Sequence, residues 1–362
     1  MTFEDRVAAV ARFGLTERQA RFVATVMTYS GVCVPRQFAT LVGTAYGQKV
    51  SRFFDRLVAR KYAAECGCLH NRAALYHLRH QALYRAIGQP ESRYRRPVSA
   101  REVIPRLMRL DAVITNRDLH WLSGEDEKVA FCSLMASSCP PERLPHTSAG
   151  SRFSAATKRF PDDLPIGVTS SGRVVFVVVL SMRDGDFRGW LQRHADLLRA
   201  LPGWTLRLVL GRHAAGRASD FEAAARAELT SQLSPGALGE LAWYCAERKT
   251  TPDTRQRSAS DKRFARAHRA FATPRYQLLY RRWLTDGDSV LELVSSTGIA
   301  DALQRGTGRI ESQILPFSYR HLAPLVTRPS SSKGVEEGEH ASARPQPPFA
   351  PSRALDESIA NR

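Results

Sequence analysis

Long apolar runs are missing from this chain of 362 residues. The longest, VVFVVVL from Val174 to Leu180, has the length of a buried strand and falls far short of the roughly 20 residues that cross a bilayer. No membrane partner is expected. The first residues, MTFEDRVAAVARFG, carry Glu4 and Asp5 and no apolar h-region, so they do not read as a signal peptide and the expected location is the cytoplasm. Cysteines are few. The six present (Cys33, Cys66, Cys68, Cys132, Cys139 and Cys245) are expected as reduced thiols rather than a disulfide framework. Also missing are the G-x-S-x-G, Walker A, G-x-G-x-x-G and H-E-x-x-H patterns, so no cofactor or common hydrolytic chemistry is implied.

Negative charge is scarce too. The 35 Asp and Glu are set against 53 Lys and Arg, a net charge of +18, which attracts nucleic acid or an anionic surface. The surplus is uneven. From Met1 to Pro97 there are 16 Lys and Arg and only 6 Asp and Glu, so a basic binding module is expected at this end.

The same region has readable elements. In LTERQARFVATVMTYS, Thr16 stands as an N-cap with Gln19 in the capping-box position, and Ala20, Phe22, Val23, Val26 and Met27 supply an apolar face. A short extended piece, GVCV, precedes a helix opened by Pro35 and closed at Gly43. GTAYGQKVSRFFDRLVARKYA then puts Val50, Phe53, Phe54, Leu57 and Val58 at three-and-four spacing, with polar residues on the other faces. KYAAECGCL and ALYHL flank the polar turn HNRA as a β-hairpin, and RHQALYRAIG is a further helix. Helix, short strand, helix, helix and two-stranded wing is an order that resembles the winged helix-turn-helix DNA-binding superfamily.

That resemblance implies double-stranded DNA as partner, with the third helix in the major groove and the wing on the backbone. Tyr46, Gln48, Lys49, Arg52 and Arg56 would lie nearest the groove, and Arg36, His70, Asn71 and Arg72 would meet phosphates. Cys66, Cys68 and His70 have C-x-C-x-H spacing and could meet a soft metal on one strand face, although alternating Cys also suits a half-buried hairpin and no fourth ligand stands nearby.

Beyond a Pro- and Arg-rich linker at 91–102, residues 103–325 read as an α/β domain with a small central sheet, and 326–362 as a disordered tail. Within that domain a helix is expected around Ala100 to Leu110, a strand pair from LDAVITN and HWLS, a helix in EDEKVAFCSLMASS, and a β-α-β series from VVFVVVL to WTLRLVLG. RLMRLDAVITNRDLHWL followed by that series resembles the replication-relaxation family of plasmid and mobile-element proteins, which implies a fold like that of restriction endonucleases. In such a fold Asp111 would begin a Mg²⁺ site. The matching strand here has no carboxylate, and metal-dependent cleavage needs oxygen ligands, so the fold is expected in degenerate form. The D-x-K spacing of Asp126 and Lys128 fits a helix N-terminus better than a catalytic pair. The expected function is a transcriptional regulator or an accessory factor for replication, transfer or recombination of a mobile element, its second domain structural, homodimerising or partner-docking. The alternative is a metal-dependent nuclease using Asp111.

Overall fold

A computed structural model describes residues 1–67, 74–147, 158–180, 184–251, 254–294, 296–319 and 322. The chain is mixed helix and sheet and divides into two compact units. The first takes Met1–Ser181, Asp196–Arg226 and the described residues from Ala302 onward, and the second Met182–Ala195 and Ala227–Asp301. The His70, Asn71 and Arg72 wing-tip contacts, the Cys68 and His70 metal ligands and the tail from 326 lie outside the described residues.

The first unit begins with α1 (Phe3–Ala11), α2 (Glu17–Tyr29), β1 (Val32–Cys33), α3 (Pro35–Val42) and α4 (Gln48–Ala59), followed by β2 (Ala63–Gly67), β3 (Ala74–Leu78) and α5 (Gln81–Ala86). The boundaries follow local chemistry. Gln19 accepts a hydrogen bond from the Thr16 backbone at 3.2 Å at the start of α2. Pro35 starts α3, and Gly43 ends it in the left-handed region at φ 68°, where glycine meets no side-chain penalty. β1 pairs with β3 and β3 with β2, all antiparallel, giving the sheet order β1-β3-β2. Phe22, Phe38, Phe53, Phe54 and Tyr76 pack as one aromatic cluster beneath these helices; the Phe38 and Phe53 rings stack at 4.3 Å.

Residues 91–102 do not form a free linker. Tyr94 is buried in the core just described, and its carbonyl bonds the buried His77 ring at 2.9 Å. Arg109 donates to the Tyr94 hydroxyl at 2.6 Å, and Arg93 pairs with Asp163 at 2.9 Å. Gly31, at φ 75°, lies so close that a Cβ there would sit 2.5 Å from the Tyr94 carbonyl oxygen.

α6 (Ala100–Thr115) is longer than the sequence pattern suggests. The expected strand LDAVITN is its last two turns, so Asp111 lies on a helix and not on a strand. The reason is burial on more than one side: Val103, Leu107, Met108 and Ala112 join a core with Val32, Val34 and Leu75 of the three-stranded sheet region and with Val175, Val177, Val179 and Val209 of a larger sheet. A helix covered this way has little polar face, and its β-branched end then imitates a strand.

The larger sheet has the order β10-β9-β8-β7-β4. β4 (His120–Leu122), β7 (Ile166–Val168) and β8 (Val174–Val179) pair antiparallel, while β8, β9 (Trp204–Gly211) and β10 (Gly308–Leu315) run parallel. β8 and β9 are the expected members of a β-α-β series joined through α8 (Asp184–Ala200). HWLS supplies β4, but its partner is β7 rather than LDAVITN. The first unit also holds α7 (Glu125–Met135) and the short pair β5 (His146–Thr147) and β6 (Lys158–Arg159).

α9 (Ala218–Thr230) runs from the first unit into the second. The second unit then contains α10 (Pro235–Thr250), α11 (Thr254–Ser260), α12 (Lys262–Ala270), α13 (Pro274–Asp286) and α14 (Ser289–Val294), with α15 (Gly298–Gln304) crossing back. Leu241, Tyr244, Phe264, Phe271 and Leu291 form its core. Tyr276, Tyr280 and Trp283 pack against that core. Among the described residues no helix is long and apolar enough to cross a membrane.

Candidate nucleic-acid interface

α4 separates its residues sharply. Val50, Phe53, Phe54 and Leu57 are buried, while Gln48, Lys49, Arg52, Asp55 and Arg56 are exposed. At about 100° per residue the exposed set occupies one sector of the helix surface, and at about 1.5 Å per residue Lys49 to Arg56 spans about 10 Å. That length fits inside a B-DNA major groove about 12 Å wide. Tyr46, directly before the helix, is 65% exposed.

The cations of this face are uncommitted. Lys49, Arg52 and Arg56 make no side-chain hydrogen bond or ion pair among the described residues. α4 has no acidic residue in its first turn, and Lys49 stands at that positive end of the helix dipole. Arg52 and Arg56, four residues apart, repel each other. Folding alone gains nothing from this arrangement, whereas an approaching phosphate relieves both terms.

Arg36 behaves differently. Its two terminal nitrogens donate to the two carboxylate oxygens of Asp111, each at 2.7 Å, and its guanidinium lies 3.8 Å from the centre of the Phe317 ring. Tyr319 donates its hydroxyl to Asp111 Oδ2. Asp111 is fully buried. Burial opposes the Arg36 charge, but the Asp111 hydrogen bonds and charge outweigh it and raise the arginine above its ordinary pKa. Beside the carboxylate, burial first and the Asp111 charge second push the Tyr319 hydroxyl well up, so it stays a neutral donor. The arginine expected at a phosphate and the aspartate expected at a metal are thus each other's partner.

Two further contacts strengthen this junction. The buried Gln37 donates to the Leu107 carbonyl at 3.0 Å while its side-chain oxygen accepts from the Val34 backbone at 3.0 Å. Arg117 donates to the Thr40 and Leu41 carbonyls at the C-terminal end of α3. α3 is therefore fixed to α6 at its start and to Arg117, two residues past α6, at its end, and α4 packs on α3 through Phe38, Phe53 and Phe54. None of Gln37, Arg117 and Tyr319 was legible as part of the site. Only the charge of Arg117 and the buried-helix position of Gln37 carried any signal.

The metal-site residues are not brought together. Around Asp111 the hydrogen-bond partners among the described residues are a guanidinium and a phenol, so a divalent cation there would meet a positive charge. Among the described residues no three His, Cys, Asp or Glu side chains cluster as a metal site. Cys66 is half-buried on β2. Asp126 and Lys128 also part: Asp126 is exposed in the first turn of α7, and Lys128 is buried, donating to the Leu164 carbonyl at 2.8 Å. Burial pushes the Lys128 amine down to about 8. The α7 N-terminus is instead held by Glu127, which accepts from the Ser123 backbone and hydroxyl.

No family model, no curated protein and no solved structure matches this chain, so its functional reading rests on these residues.

Proposed function

We propose that the protein binds double-stranded DNA with sequence preference, through a winged helix-turn-helix formed by residues 1–90 with α4 in the major groove. The observation that carries the reading is the α4 face: Gln48, Lys49, Arg52 and Arg56 exposed together and without side-chain partners among the described residues, on the helix before an antiparallel hairpin. Gln48 offers the bidentate amide that reads adenine, and Arg52 the fork that reads guanine. Lys49 and Arg56 suit phosphates, which supply affinity without sequence information. The sheet order β1-β3-β2 supports the winged arrangement, because it places the hairpin β2-β3 beside the same helices. Such a protein acts as a transcriptional regulator or as an accessory factor in replication, transfer or recombination of a mobile element.

The test is duplex binding measured across a salt series with the full chain. Each lost phosphate contact lowers the slope of log affinity against log salt by about 0.9. Lys49→Ala with Arg52→Ala should flatten that slope by about 0.9 through Lys49 and, through Arg52, abolish selection of a preferred sequence from a random duplex pool. Unchanged affinity, slope and selection in the double variant would rule out α4 as the reader.

A further inference from the structure

The second unit carries a cationic helix whose charge its own fold does not use. α12 buries Phe264 and Ala267 and leaves Lys262, Arg266 and Arg269 exposed. These three fall within a sector of about 60° on the opposite side of the helix and span about 10 Å along it. Lys262 and Arg266 are four residues apart, a repulsive pair. Lys262 and Arg263 also occupy the first turn, where the helix dipole is positive and no acidic residue is present. Asp261 serves as the N-cap, accepting from the Arg263 and Phe264 backbones at 2.9 and 3.1 Å.

Neighbouring arginines show what a structural role looks like in this unit. Arg263 pairs with Glu240 at 2.8 Å and lies 3.7 Å over the Trp243 ring, and Arg257 pairs with Glu247 at 3.1 Å. Glu240 and Glu247 are spent there. Lys262 and Arg266 make no hydrogen bond or ion pair among the described residues, and Arg269 donates only to the Ala265 carbonyl of its own helix at 3.3 Å.

We propose that the Lys262, Arg266 and Arg269 stripe of α12 is a second nucleic-acid contact, which tracks the phosphate backbone of duplex DNA. This rests on the DNA-binding reading above. Over about 10 Å one DNA strand presents about three phosphates, so three cations match the charge spacing of one strand. A stripe laid along phosphates does not reach base edges, so it adds affinity and salt dependence without adding sequence preference.

The experiment measures duplex affinity across a salt series for the full chain, the Lys49→Ala/Arg52→Ala variant and a Lys262→Ala/Arg266→Ala/Arg269→Ala variant. Alanine at exposed helix positions preserves the fold, which thermal unfolding checks. The α12 variant is expected to lose roughly tenfold or more in affinity and up to about 2.7 of the salt slope, while the preferred sequence stays the same. Exchanging the charges in kind, Lys262→Arg/Arg266→Lys/Arg269→Lys, should keep the slope. A wild-type slope in the α12 variant, with a flattened one in the α4 variant, overturns the second contact alone. No duplex binding by the unaltered chain overturns the DNA-binding reading and the second contact with it. Equal displacement of the duplex by unlabelled RNA in wild type but not in the α12 variant assigns the stripe to RNA and overturns it as well.

Discussion

Arg36 and Asp111 give the sharpest quantitative test, because removing either partner has a different cost. Asp111 has no exposed surface, while the Arg36 side chain is 28% exposed. Breaking a buried ion pair by deleting one partner costs roughly 3–5 kcal/mol, most of it from the charge left behind. In Arg36→Met the stranded charge is the carboxylate, sealed from water with only the Tyr319 hydroxyl as donor, so the upper part of that range applies, about 4 to 5 kcal/mol. In Asp111→Asn the stranded charge is a guanidinium that water can reach, and the amide oxygen still accepts one hydrogen bond. About 2 to 3 kcal/mol is expected. In a domain of roughly 150–250 residues these losses lower Tm by roughly 4–12 °C for Asp111→Asn and 8–20 °C for Arg36→Met.

Replacing the whole group is expected to be gentler than either deletion. Arg36→Met/Asp111→Leu/Tyr319→Phe leaves no buried charge or unpaired hydroxyl, and such exchanges are often neutral. Equilibrium denaturation of the singles and the triple measures the order directly. A triple variant as unstable as the sum of the singles, or an Arg36→Met loss under about 1 kcal/mol, would refute the claim that this pair is a charge tie between α3 and α6. Duplex binding adds an independent readout. At a temperature where Arg36→Met remains folded, its salt slope should equal that of wild type. A drop of about 0.9 would show that Arg36 meets a phosphate after all.

Two further predictions concern the packing around α2 and α7. Gly31→Ala places a Cβ against the Tyr94 carbonyl in a left-handed backbone, so it should cost about 3 kcal/mol or more; a Tm within 2 °C of wild type would contradict the close approach. Lys128 titrates at about 8 when folded and at its ordinary 10.5 when unfolded, so the unfolded chain binds more protons between those values and stability rises with pH across that window. The rise is on the order of 3 kcal/mol and should vanish in Lys128→Met, so parallel denaturation curves for wild type and variant from pH 8 to 10.5 would show that the amine is not buried in charged form.

Elements whose cause is local were legible in the sequence. α2, α3 and α4 announce themselves through Thr16 and Gln19, Pro35 and Gly43, and the spacing of Val50, Phe53, Phe54 and Leu57. β10 was not legible. Its polar residues Arg309, Glu311, Ser312 and Gln313 give no strand alternation, and its reason for being extended is parallel pairing with Trp204–Gly211, about a hundred positions earlier. A cross-strand ion pair, Arg207 to Glu311 at 2.7 Å, helps fix that register and is equally invisible locally.

The candidate site divides along the same line. An exposed cation on α4 needs only its helix and its face to be understood, and both are set within a few residues. Arg36 and Asp111 are charges whose roles depend on a partner 75 residues away. Read alone, each was matched to the ligand its chemistry would take in water: an arginine to phosphate, an aspartate to a metal. Burial reverses that logic, because a charge removed from water must be answered inside the protein, and the nearest opposite charge satisfies it before any ligand can. The proposed DNA-binding face is then the part of this protein nearest to its sequence, while the support that holds α3, and through it α4, exists only once α6 and the segment carrying Phe317 and Tyr319 are packed. A lost tie should therefore weaken duplex binding through lost folding and leave the salt slope intact, whereas a lost α4 cation should flatten the slope and leave folding intact.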